Sequence, residues 1–345
     1  MSADEDLRPL TETAERILGA GPSADGDWDA SAWAALEESG LTTIDVPEAL
    51  GGGGGTLREA AEVVRVAGAR AVRVPIAEAA LVGGWLLAAA GLPVPAGPLT
   101  AALDSGGVTV DAAGVLGGTV RRVPYARIAA CVVLLADGPS GPVVAVVDRS
   151  AGTLTEGANL AGEPRDDLVL DGLTPIASAP VDAAVAAELP LRAALSRVVL
   201  AAGAAQTALE LVLRHVKERE QFGRPIAKFQ AVQQLVAELA GEVATVTLGS
   251  EAALLAIASD DTAYAAMSVA SARVVAADAS TRIAAIAHQL VAGIGVTREH
   301  ALHRSTTRLW AWREEGGTEG VWADRLADRA LDPSAPPLWQ QVVGV

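Results

Sequence analysis

The spacing of apolar residues changes twice along this 345-residue chain, and each change marks a boundary. Over residues 1–95 the period is helical. Leu10, Ala14, Ile17 and Leu18 share a face, with Pro9 placed to begin a helix. Trp33, Leu36 and Leu41 anchor a second helix that starts near Asp29 and has Gly40 as its C-cap. Leu57 to Ala71 predicts a third, acidic early and basic late, as the helix dipole favours. An Ala/Leu-rich helix follows over about Ile76 to Ala90. Gly51 to Gly55 lack the lysine of a phosphate loop and predict a flexible turn.

Over residues 96–182 the helical period disappears. Short β-branched runs (Val108–Val110, Cys131–Leu135, Val143–Val147, Leu168–Leu170) alternate with turn signals such as Asp137-Gly-Pro and Asp171-Gly. They predict a small β-barrel or sandwich. From residue 183 the helical period returns. Leu195, Val199, Ala202, Leu209, Leu213 and Val216 form one stripe on a long helix, Ala183 to Glu218, in which Pro190 marks a candidate break. Phe229 to about Ser259, Asp260 to Leu290 and about Glu299 to Arg313 complete a four-helix bundle, and a Pro-rich tail follows Asp332. The expected fold class is α+β: an N-terminal helical domain (1–95), a small middle β domain (96–182) and a C-terminal four-helix bundle (183–345).

Composition narrows the function. A formal charge of −16 argues against nucleic-acid binding. Cys131, the single cysteine, sits in an apolar run and reads as a buried strand thiol. The N-terminus has no basic or apolar leader, and prolines interrupt the uncharged window Ala79–Leu103, so a cytoplasmic protein without a membrane span is expected. His300 and His303 share a helix face, but no third ligand at a sensible spacing accompanies them; beside Arg304 and Arg308 they predict an exposed polar face rather than a metal site.

The densest stretch is Arg219-Glu-Gln-Phe-Gly-Arg-Pro-Ile226 followed by Phe229-Gln230, where a helix stops, the chain turns and a new helix starts. Arginine presents a forked cation suited to phosphate or ribose oxygens, Gln221 and Gln230 offer amides, and Gly223 and Pro225 favour a sharp turn. This stretch, together with Gln289-Leu-Val-Ala-Gly-Ile-Gly295 and the N-terminal Trp33…Glu38-Ser-Gly-Leu41…Val46-Pro-Glu48 pattern, resembles the acyl-CoA dehydrogenase family.

The resemblance implies an FAD enzyme that oxidises the Cα–Cβ bond of an acyl-CoA and passes electrons to an electron-transfer flavoprotein. It also implies a cofactor grip formed by Arg219, Gln221, Phe222, Phe229, Gln230, Gln289, Gly293 and Gly295, reaching an FAD held mainly by a neighbouring subunit. Two departures stand out. Gly97 to Leu103 carries no Gly-Ser-Asp flavin loop, and no Trp lies between Trp85 and Trp310. The family's base falls near Glu315, in Arg313-Glu-Glu-Gly-Gly-Thr318, where a charged, solvated helix end is the competing reading; the alternative family position, Ala193 to Arg197, has no carboxylate. The chain therefore resembles the short subunit of a heteromeric, actinobacterial dehydrogenase that acts on a bulky steroid side-chain CoA ester, with a fuller partner supplying the base. A self-sufficient enzyme using Glu315, and a non-catalytic acyl-CoA-binding homologue, are the alternatives.

Overall fold

The computed structural model describes residues 3–19, 28–104, 106–259, 261–332, 334 and 339–340. The chain divides into two compact units, Met1–Ser196 and Arg197–Val345.

The first unit begins with α1 (Ala3–Leu18), α2 (Ala30–Glu38) and α3 (Leu57–Arg70). Pro9 lies inside α1 rather than at its start. Thr56 closes a capping box with Glu59, which fixes where α3 begins. The glycine run is not a slack turn. Gly53, Gly54 and Gly55 donate to the carbonyls of Thr43, Val46 and Ile44, and a Cβ on Gly52 would stand 2.3 Å from the Val46 carbonyl oxygen. The expected helix after Ile76 forms as α4 (Ile76–Glu78) and α5 (Gly84–Ala89), joined by a π-helical turn over Ala79–Gly83.

Nine strands follow among the described residues: β1 (Leu99–Ala101), β2 (Thr109–Val110), β3 (Leu116–Gly117), β4 (Thr119–Pro124), β5 (Cys131–Gly138), β6 (Gly141–Asp148), β7 (Thr153–Thr155), β8 (Arg165–Val169) and β9 (Ala177–Pro180). They build two sheets. One has the order β3-β2-β5-β6-β9 with β1 also paired to β5, and the other is β4-β8-β7. Val132, Leu134, Ala145 and Val147 from the first sheet and Val120, Val123 and Leu168 from the second share one apolar core. Cys131 is buried and free at the start of β5, as its apolar run predicts.

Asp45 is a strained point in this unit. Its side chain is 8% exposed, its Oδ1 has no hydrogen-bond partner, and its nearest cation is Arg192 at 3.9 Å. Arg192 is itself held by Glu188 at 2.8 Å and by the Trp85 ring at 4.8 Å. Burial pushes the Asp45 carboxyl up from 3.8 to about 6, against the pull of Arg192. A carboxyl whose folded pKa is raised favours folding only below its unfolded pKa, and loses that contribution as the pH rises through about 6. Asp45→Asn is therefore expected to stabilise the protein by about 1–3 kcal/mol at pH 8 and by nothing measurable at pH 4. Urea titrations at the two pH values check this.

The second unit is helical. α6 (Ala183–Glu218) carries the chain into it. Pro190 does not break α6, because it removes only one donor while Leu189, Ala193, Ala194 and Leu195 are buried around it. A hairpin of β10 (Glu220–Gln221) and β11 (Arg224–Pro225) leads to α7 (Gln230–Ile257) and α8 (Thr262–Val291), which pack side by side. Asp261 caps α8 by accepting from the N–H groups of Ala263 and Tyr264; Asp260, the expected start, lies outside the described residues. α9 (Leu302–Trp312) is the expected fourth helix, and α10 (Glu319–Leu331) is a fifth that the periodicity missed. Trp322 anchors α10 at 1% exposure and donates from Nε1 to the Gly316 carbonyl at 2.9 Å. Most of the Pro-rich tail lies outside the described residues. One described helix, α7, is long and apolar enough by length and composition to cross a membrane. Fold class and element order agree with the α+β expectation.

Candidate functional site

His215 lies in the last turn of α6 and Arg219 just after it, a turn on, with the Arg219 N–H donating to the His215 carbonyl at 2.8 Å. The chain then reverses through Phe222 and Gly223, whose φ angles of 53° and 78° both lie in the left-handed region. Such a pair matches the twist of a two-residue hairpin, at a cost in strain for the non-glycine Phe222. The Phe222 ring at the tip is 91% exposed. The Ile226 N–H donates to the Arg219 carbonyl at 2.8 Å and closes the loop. Phe229, the N-cap of α7, lies edge-on to Phe222 at 6.0 Å and beneath the Arg224 guanidinium at 4.4 Å.

Opposite stand the C-terminus of α8 and the turn Ala292–Val296. Together these elements form an open-mouthed cavity of about 690 Å³ lined by Arg219, Gln221, Phe222, Phe229, Gln289 and Gly293, so the two sequence motifs meet in space. Two expected residues are not in its described lining. Gln230 starts α7 with its side chain exposed. Gly295 is buried, and a Cβ there would stand 3.1–3.2 Å from Leu302, Val291 and His288, so it serves packing. Ala292, at the C-cap of α8, carries a positive φ of 60° with ψ −153°. The cavity also includes His215, Val232 and Leu235, which the sequence reading missed. Their signal was spacing: His215 lies four residues before Arg219 on a helix, and Val232 and Leu235 one turn into the next.

Glu315 is not a solvated helix end. It is 6% exposed, and its carboxylate lies 2.9 Å from Nε of Arg197, itself 1% exposed. Glu314 is the exposed neighbour, paired with Arg313 at 2.9 Å. Arg273, buried on α8, clamps the segment that carries Glu315. Its Nη2 faces the carbonyls of Trp312 at 3.1 Å, Arg313 at 2.5 Å, Glu315 at 2.8 Å and Gly317 at 2.9 Å. Burial, then the nearby Arg197, pulls the Arg273 pKa down to about 10, opposed by Glu314, Glu315 and Glu319. The described cavity lining does not include Glu315. The position early in the first bundle helix that lacks a carboxylate thus supplies, through Arg197, the counter-charge to Glu315.

Other sequence features resolve into structure. Thr100, the hydroxyl within Gly97 to Leu103, is fully buried in β1 and donates to the Pro124 carbonyl at 2.6 Å. Arg308 is buried at 3% exposure, so the helix face beside His300 and His303 is not uniformly exposed. His300 instead packs edge-on against His215 at 6.1 Å.

Residues 190–331 match the acyl-CoA dehydrogenase C-terminal domain family. Over 346 aligned positions the chain is 31% identical to acyl-CoA dehydrogenase IpdE2 of Mycobacterium tuberculosis, spanning 96% of this chain and 98% of that protein. Its fold superposes on a chain of the ChsE4–ChsE5 complex from Mycobacterium tuberculosis with a TM-score of 0.84 and 25% identity, covering 97% of this chain and 99% of that one. A variant of the Tcur3481–Tcur3483 steroid ACAD shares the fold with a TM-score of 0.83 at 24% identity, covering 94% and 97% of the two chains.

Proposed function

We propose a function on one premise: the chain belongs to the acyl-CoA dehydrogenase family. In our reading it is one subunit of a heteromeric FAD-dependent dehydrogenase, and a fuller partner subunit supplies the catalytic base. The carrying observation is Glu315. Glu315, the carboxylate next to the family's base position, is buried against Arg197, and a carboxylate holding a guanidinium must break that pair before it can take a substrate proton. Neither family position then offers a ready base.

The cavity fits the nucleotide end of FAD. It offers a guanidinium for an anion, two amides for ribose or adenine edges, and apolar and aromatic walls for a flat purine. When bound, FAD accepts the hydride that leaves the acyl Cβ. In this reading Arg219, Gln221 and Gln289 hold and orient the cofactor, while Phe222 and Phe229 exclude water from it. Phe222, 91% exposed at the tip of a strained hairpin, is free to reach across a subunit boundary, which agrees with this reading. The heteromeric ChsE4–ChsE5 neighbour supports the pairing, and the steroid ACAD neighbour supports a bulky steroid side-chain CoA ester as substrate. Electron-transfer flavoprotein is the proposed acceptor.

Expression alone and with a fuller acyl-CoA dehydrogenase subunit tests this. The lone chain is expected to lack flavin absorption, and the co-purified complex to be yellow and active. A yellow, active homo-oligomer of this chain alone would overturn the reading in favour of a self-sufficient enzyme. A complex without flavin would favour the non-catalytic homologue.

A further inference from the structure

All four histidines of the chain lie in the second unit, close enough to influence one another: His215 on α6, His288 on α8, and His300 and His303 at the start of α9. Three have engaged rings. His288 Nε2 shares a hydrogen bond with Thr306 Oγ1 at 2.9 Å, and its ring stacks on Trp310. His303 Nδ1 donates to the His300 carbonyl at 2.7 Å. His300 Nδ1 accepts from the Leu302 N–H at 3.2 Å, which holds it in the neutral Nε2–H form at the head of α9. The His215 ring makes no hydrogen bond among the described residues, although it lines the cavity beside Arg219.

We propose that His215 is a second anion ligand of this cavity, which takes up a proton when a diphosphate-bearing nucleotide binds and so supplies the cation that Arg219 alone cannot. The inference rests on the cofactor reading of the cavity given above. Charge balance carries it. A diphosphate bears a negative charge on each phosphate, whereas Arg219 is the one permanent cation in the described lining. The other lining groups are amides, aliphatic and aromatic side chains and backbone. His215 is the lining group able to become the second cation, and its place one turn before Arg219 lets both reach a single anion.

The surroundings set the direction. With no anion present, burial and then the Arg219 charge lower the His215 pKa, while Glu218 raises it. From the segment before α9 it faces His300, which is in turn affected by His303, Arg214 and His288. The parts of α7 and α8 that line the cavity contribute no charge. An anion between His215 and Arg219 screens their repulsion and favours the imidazolium. The proton goes to His215 rather than His300, because protonating Nδ1 of His300 forfeits the Leu302 hydrogen bond. Proton uptake on binding means that affinity rises as the pH falls.

Calorimetry of FAD and ADP binding to the flavin-stripped complex tests this, run in buffers of different ionisation enthalpy from pH 6.5 to 8. The wild type is expected to approach one proton taken up per nucleotide at pH 7.5, and to bind about tenfold more tightly at pH 6.5 than at pH 8. His215→Gln is expected to abolish the uptake and flatten the pH profile, and adenosine, lacking phosphate, to show no uptake. Binding by the wild type without proton uptake, weakened by Arg219→Gln, would overturn the role of His215 and leave the cofactor site standing. Uptake with adenosine would overturn it as well. FAD binding indifferent to Arg219→Gln would overturn both.

Discussion

Arg273→Met is expected to lower the stability of the second unit by about 3–5 kcal/mol. The guanidinium is 2% exposed and faces four carbonyls at the C-terminus of α9 and in the turn that follows. Carbonyls at a helix end have no partner within the helix and carry the negative end of its dipole, so a buried cation there satisfies both needs. Burial opposes the charge and pulls its pKa down to about 10. With a pKa of about 10 the group stays protonated at neutral pH all the same, so it meets the carbonyls as a cation. Methionine fills the volume but leaves buried acceptors without donors, each costing about 1–3 kcal/mol. Between pH 6 and 9 the loss is expected to be constant, because both the folded and unfolded pKa values lie above that window. Arg273→Lys should recover part of it. Urea denaturation of the three proteins checks the order, and a methionine variant as stable as wild type would remove the clamp from the account.

How much of this was visible beforehand depends on the range over which each feature is decided. Helix positions in the first and second units follow from local period and caps, so Leu57 to Ala71 in the sequence became Leu57–Arg70 in the structure. The cavity was half visible. Arg219, Gln221, Phe222 and Phe229 cluster in the sequence, and their meeting with Gln289 and Gly293 followed from family resemblance, not from spacing. The turn chemistry was harder. Gly293 and Gly295 were both assigned to the cofactor grip, but of the two only Gly293 lines the cavity, the positive φ sits on Ala292, and Gly295 is a packing glycine. That outcome depends on the close approach of Leu302 and His288, which no local pattern encodes. The buried charges were the least legible. Arg197 and Arg273 each lie among apolar neighbours (Val198 and Val199, Ala272 and Val274), and an arginine on an apolar stripe is the signal that was available. Arg197 was read only as the absence of a carboxylate. Its meaning came from Glu315, 118 positions away, which tertiary packing sets opposite it.

The same pair gives the second large effect. Glu315→Gln is expected to cost about 3–5 kcal/mol in stability while leaving kcat of the assembled complex within about twofold of wild type. Removing one partner of a buried ion pair leaves the other charge uncompensated, and Arg197 already feels the like charge of Arg273. Replacing both partners by apolar residues, as in Arg197→Met with Glu315→Leu, removes the uncompensated charge and should recover most of the loss. Activity separates this from a catalytic role. A base that abstracts the substrate proton would lose at least about a hundredfold in kcat when its carboxylate becomes an amide, with little change in unfolding. Here the expected pattern is the reverse: a lowered urea midpoint, flavin retained by the complex, and turnover carried by the partner's base. Turnover abolished in a stable Glu315→Gln complex would return the base to this chain and make the Arg197 contact a resting state that substrate breaks.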